Sequence, residues 1–202
     1  MTEANPFTKT MSILGAILGA TLLFAALLFT ANAAASPTVV ANPTLWLQVP
    51  AQPVKNNTEI TVTVRISDVV NLYGVQLDVN FDPTALQVVD LDAGTQGIQI
   101  ESAECPVANF VLSNSADNSA GTIAYAVTQL NPTPPVNGNC SVANIRFKTT
   151  KEMTTTLSFS EAILSDPDGT AITTDVAAAE LEIVSGELKV YLPTVFNLVA
   201  NP

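Results

Sequence analysis

Residues 60–67, Ile60-Thr61-Val62-Thr63-Val64-Arg65-Ile66-Ser67, put apolar side chains at every second position with polar ones between them. Successive side chains of a β-strand point to opposite faces, so this stretch has one dry face and one wet face. The next stretch repeats the device, with Val75, Leu77, Val79 and Phe81 alternating with Gln76, Asp78 and Asn80. Two such neighbours predict half-buried antiparallel strands. Upstream, Leu45, Leu47 and Val49 share one phase, with Trp46 and Gln48 opposite. Downstream, strands are predicted over 86–91, 109–113, 122–129, 143–149, 155–164 and 181–184, with Ile123, Tyr125, Val127, Ile145 and Phe147 facing inward. Tyr73 has the inward phase too and is assigned to the core. Turn chemistry separates these runs at Asp82-Pro83, Asp117-Asn118, Asn137-Gly138 and Asp166-Pro167-Asp168-Gly169. The expectation is an all-β chain, a nine-stranded β-sandwich with jelly-roll topology and no internal repeat.

The first 35 residues are of another kind. Lys9 precedes a nearly continuous apolar run from Met11 to Phe29, and Ala31-Asn32-Ala33-Ala34-Ala35 follows it. A cationic start, an apolar stretch and an A-x-A site describe a secretory signal peptide. The run also approaches the roughly 20 residues that span a bilayer as a helix. Residues 1–35 are therefore read as a signal peptide or an N-terminal membrane anchor, an apolar helix in either case. Both readings place the remainder outside the cytoplasm, with membrane contact only through this segment. The small, Pro-containing stretch 36–43 reads as a linker, 44–190 as the sandwich domain and 191–202 as a hydrophobic tail. The run Val190-Tyr191-Leu192-Pro193-Thr194-Val195-Phe196 is too short to span a membrane; it adds a last strand or serves as an envelope-sorting segment. In an exported chain Cys105 and Cys140 are expected to pair, the alternative being two buried thiols.

Composition excludes several functions. The chain has no histidine, so the commonest general base and metal ligand is missing. Two cysteines are too few for a thiolate zinc site. A net charge of −11, with Lys and Arg scattered singly, argues against a nucleic-acid partner. No catalytic residues, no metal site and no cofactor are assigned, and the chain is read as a non-enzyme.

The run from Ile66 to Pro83 resembles the cohesin domain family, whose hallmark is a strand, a short crossing like Asn71-Leu72-Tyr73-Gly74, a second strand and an aromatic-Asp-Pro turn. Phe81-Asp82-Pro83 and Leu86-Gln87-Val88-Val89 match that pattern. Gly121-Thr122-Ile123-Ala124-Tyr125-Ala126, Val142-Ala143-Asn144-Ile145-Arg146-Phe147-Lys148 and the segment Ser160–Ile172 resemble later motifs in the family's order. The resemblance covers about residues 44–190. It implies a nine-stranded jelly roll that binds a dockerin, a small calcium-loaded helical module, within extracellular polysaccharide-degrading assemblies. Related modules of the same sandwich bind polysaccharide directly.

The resemblance also implies docking through the outward face of one sheet. The matching positions are Gly74, Gln76, Asp78 and Asn80 with Ala124, Ala126, Thr128 and Gln129; the plainer reading is ordinary solvent-facing strand residues. Trp46 is either a stacking platform for a sugar, the alternative carbohydrate site, or a cap on the edge of the core. Asp166 and Asp168 are read as turn caps in preference to calcium ligands. Asp90/Asp92 and Glu101/Glu104 are read as solvated charge in preference to a glycosidase pair. Three functions stay open: a protein-docking module, a carbohydrate-binding module and a structural envelope domain.

Overall fold

The computed structural model describes residues 41–186. The expected leader, residues 36–40 of the expected linker and the tail 191–202 lie outside the described residues. The described part contains strands and turns only: β1 (Thr44–Gln48), β2 (Val54–Lys55), β3 (Glu59–Leu72), β4 (Gly74–Asn80), β5 (Leu86–Val88), β6 (Glu101–Ser102), β7 (Phe110–Asp117), β8 (Thr122–Thr128), β9 (Val136–Thr149), β10 (Met153–Ser165), β11 (Ala171–Ile172), β12 (Asp175–Ala177) and β13 (Ala179–Val184). They form two sheets. One has the order β12-β1-β3-β9-β5, with β6 also on β9; the other runs β2-β13-β10-β4-β8-β7, with β11 on β10. The pairings are antiparallel except β1 with β12 and β13 with β2.

The period-two residues meet between the sheets. Leu45, Val62, Val64, Ile66, Ile145 and Phe147 from one sheet, and Leu77, Ile123, Tyr125, Val127, Leu157 and Leu164 from the other, are at most 1% exposed. The Phe81 and Phe147 rings meet edge to face, centroids 5.2 Å apart. The buried Tyr125 hydroxyl donates to Ser102 Oγ at 2.8 Å, which satisfies the one polar atom of that ring. Tyr73 departs from expectation. It is only half-buried at the crossing between β3 and β4, because its neighbour Leu72 fills the core there.

Strand limits differ from the sequence reading where side chains replace the regular ladder. β9 starts at Val136, so Asn137-Gly138 is strand and not turn. Across from it β3 is bulged, with Asp68 and Asn71 at φ of 56° and 58°. Asn139 Oδ1 accepts from Asp68 N at 2.8 Å and Asn137 Oδ1 from Asn71 N at 2.9 Å, holding the pair together through the bulges. β7 runs on to Asp117, and β5 stops at Val88.

The expected turns at Asp82, Asp117 and Asp166 are present, each closed by its carboxylate. Asp82 Oδ1 accepts from Thr84 N and Oγ1, both at 2.8 Å. Asp117 Oδ1 accepts from Ser119 N, Ser119 Oγ and Ala120 N. Asp166 Oδ1 accepts from Asp168 N and Thr170 N. Gly121 ends the Asp117 turn at φ 72°, and a Cβ there would run into Phe81 O, so only glycine fits beside β4. Cys105, just past β6, is bonded to Cys140 in β9 with Cα atoms 6.1 Å apart.

Two outcomes follow from these constraints. Replacing both cysteines by serine releases a crosslink spanning 35 residues, and chain entropy sets the expected loss at about 3–4 kcal/mol, read as a lower urea midpoint. Acidification tests the turns. Hydrogen bonds from Thr84 and Ser119 hold the Asp82 and Asp117 carboxyls below the usual carboxylate range. Their contribution is present above the unfolded pKa of about 3.9 and is lost as pH falls through the lower folded values. Melting temperature is expected to fall steeply below about pH 4, and less steeply in Asp117→Asn; equal slopes would refute the assignment.

Candidate functional site

Residues directly opposite in antiparallel strands share a face, so the registers lay out the outer wall of β7, β8, β4 and β10 in rows. The first row is Phe110, Thr128, Gly74 and Ser165. The second is Ser113, Ala126, Gln76 and Ile163, with Leu112 protruding from the β7 bulge beside it. The third is Ser115, Ala124, Asp78 and Glu161; the fourth is Asp117, Thr122, Asn80 and Ser158. Seven of the eight expected residues therefore stand on one wall.

The wall has two halves of different chemistry. In the first two rows the small residues Gly74 and Ala126 form a floor, and Leu112 and Ile163, 63% and 43% exposed, stand on either side of a shallow groove. Phe110, 53% exposed, extends the apolar surface along β7. A Cβ at Gly74 would meet Ser165 Oγ at 2.6 Å, so glycine keeps this floor low. The last two rows hold three carboxylates, Asp78, Glu161 and Asp117, and none of the described lysines or arginines. Gln76 Nε2 donates to Glu161 Oε2 at 3.1 Å, joining the halves across the strands. Large exposed apolar side chains beside fixed carboxylates favour a partner with an apolar anchor and cationic ends.

Gln129 is the correction. It follows the end of β8, where the alternation stops, and its side chain turns inward to 1% exposure. Its Oε1 accepts from Val107 N at 3.1 Å and its Nε2 donates to Pro134 O at 2.8 Å. It ties two loops together and is not offered to a partner. The sequence reading also missed Phe110, Leu112, Glu161 and Ile163. The run Phe110-Val111-Leu112 reads as buried strand, and the extra residues in β7 and β10 break the period-two phase. Three consecutive large apolar residues on a strand with only one neighbour were the available signal.

The other candidates have structural partners. Asp90 Oδ1 accepts from Asp92 N and Gln99 N, and Asp92 from Gly94 N and Thr95 Oγ1. Glu101 Oε2 accepts from Asn144 Nδ2, and Glu104 Oε2 from Ser141 N. Among the described residues no group of three or more His, Cys, Asp or Glu side chains is arranged to hold a metal ion. Trp46 is half-buried on the outer face of the opposite sheet, across from Arg65 on β3 and Ala177 on β12.

The Cohesin domain family model matches residues 45–184, well over half of the chain. Comparison with curated proteins returns no match. Among solved structures, a type II cohesin from Acetivibrio cellulolyticus in complex with X-dockerin is 20% identical, with a TM-score of 0.60 over 71% of this chain and 100% of that one. A type II cohesin from Bacteroides cellulosolvens is 17% identical, with a TM-score of 0.59 over 70% and 99%. A non-cellulosomal cohesin from the hyperthermophilic archaeon Archaeoglobus fulgidus is 16% identical, with a TM-score of 0.55 over 73% and 94%. At these identities the likeness is one of fold.

The reassignment of Gln129 predicts opposite behaviour for two glutamines. Gln129→Ala leaves Val107 N and Pro134 O without their partner and is expected to cost about 1–3 kcal/mol of stability. Gln76→Ala, on the exposed wall, is expected to stay within about 0.5 kcal/mol of the parent in the same urea titration.

Proposed function

The chain belongs to the cohesin family, and from that premise we propose that it is a non-catalytic docking module that receives a dockerin-type helical partner on the wall of β7, β8, β4 and β10. The observation that carries the reading is the grouping of Phe110, Leu112 and Ile163 around a floor of Gly74 and Ala126. A partner helix laid there covers apolar surface that otherwise stays in water, with the low floor admitting its backbone. Gln76, Asp78, Asn80 and Thr128 supply the polar remainder of the contact, with the small Ala124 between them. The acidic rows set orientation and encounter rate more than affinity. The solved complex of a type II cohesin with X-dockerin supports a partner of this kind.

The setting is extracellular or at the cell surface. The apolar leader and the Cys105–Cys140 bond support export, since disulfides persist outside the reducing cytoplasm.

Anchors at the centre of an interface carry most of its energy. Leu112→Asp and Ile163→Asp are expected to weaken capture of a dockerin module, chosen from a panel as the tightest binder of the parent chain, by about 30-fold or more each. Val176→Asp, exposed on the other sheet, is expected to leave that affinity unchanged. Parent-like affinity in both wall variants, with circular dichroism intact, would move the interface elsewhere.

A further inference from the structure

The opposite face of the sandwich has a different chemistry. Five lysines and arginines lie among the described residues, and three of them, Arg65, Arg146 and Lys148, stand on the outer face of the β1-β3-β9 sheet. This is a concentration of cations in a chain of net charge −11. Arg65 lies directly across from Trp46. Arg146 and Lys148 are exposed.

The polar groups beside Trp46 are held in place. Thr63, opposite Gln48, donates through Oγ1 to Asn144 Oδ1 at 3.0 Å, and Asn144 Nδ2 donates to Glu101 Oε2 at 3.1 Å. The half-buried Arg65 donates from Nη1 to Ser141 Oγ at 3.4 Å. The acids on this face are Glu59 opposite Lys148, Glu101 engaged by Asn144, Glu104 bonded to the backbone N–H of Ser141 across from Arg65, and Asp175 on the edge strand.

We propose that this face is a second binding site, for a polysaccharide whose sugar rings carry carboxylates. A half-buried indole on a sheet offers a flat apolar surface to one face of a pyranose ring. Thr63 and Asn144 offer fixed hydroxyl and amide groups to ring hydroxyls beside it. Arg65 presents a planar fork that matches a carboxylate, and Arg146 and Lys148 extend the cationic track along β9. A neutral glucan would use the indole but make no use of the Arg65 fork or of the exposed Arg146, which has Thr61 and no acid opposite it on β3, and these two groups favour the acidic chain. The site shares no residue with the docking wall, and the domain would then hold a protein partner and an acidic matrix on opposite faces.

Trp46 is the single tryptophan of the chain, so its fluorescence reports this face alone. The full chain is titrated with polygalacturonate and, separately, with neutral hydroxyethylcellulose, and is run through affinity gels containing each. Polygalacturonate is expected to shift Trp46 emission saturably at low salt, with affinity falling at least tenfold in 0.5 M salt. Arg146→Gln with Lys148→Gln is expected to weaken binding about tenfold, and Trp46→Ala to abolish retardation in the gel. Leu112→Asp is expected to bind polygalacturonate as the parent does, which separates this site from the docking wall. No saturable shift with polygalacturonate, equal binding of the neutral glucan, or undiminished binding by the charge variant would overturn the proposal.

Discussion

Between the two sheets lies a single dry layer in which side chains from β1, β3 and β9 meet those from β4, β8 and β10. Phe147 and Phe81 meet there edge to face, and Tyr125, Ile66 and Leu164 are at most 1% exposed. Because strand residues alternate, burying one set in this layer commits the other set to the outside. A one-residue slip of any central strand would put apolar side chains into water and polar ones into the core. The outer surfaces are thus held in register by the interior. Both proposed binding faces are the backs of strands whose fronts are locked in that core.

The same alternation separates charge. Asp78, Glu161 and Asp117 stand on one wall with no lysine or arginine in its rows, and Arg65, Arg146 and Lys148 stand on the other, where acids accompany them. A sandwich about 10 Å thick between sheets keeps such groups from neutralising one another by contact. The Asp-closed turns fix the ends of strands that carry these walls, and the Cys105–Cys140 bond ties the loop after β6 to β9. Their role is to hold register, and the functional surfaces lie between them.

Much of this was legible from residues 60–67 and 75–81, where apolar and polar side chains alternate without interruption. The cores of β3 and β4, the inward Tyr125 and Phe147, and the turns at Asp82, Asp117 and Asp166 all follow from local pattern and side-chain chemistry. The errors fall where the pattern is interrupted. Asn137-Gly138 has the composition of a turn, yet asparagine side chains bonded to a bulged partner strand keep it in β9. Gln129 sits one residue past β8, where alternation no longer predicts direction. Phe110, Leu112 and Ile163 look like core by hydrophobicity, because a sequence does not state that β7 lacks a neighbour on one side or that a bulge has shifted phase.

The sequence by itself determined that the chain alternates, that its strands have wet and dry sides, and that its turns are closed by aspartates. These are local properties, set by backbone geometry and by side chains two or three residues apart. Only the tertiary structure decided which wet sides lie together, that Leu112 and Ile163 stand on opposite sides of one groove, and that Trp46 stands beside Arg65. Those pairings depend on strand order and on bulges in β7 and β10. Residues from strands far apart in the chain are brought side by side only when the two sheets close over their common core.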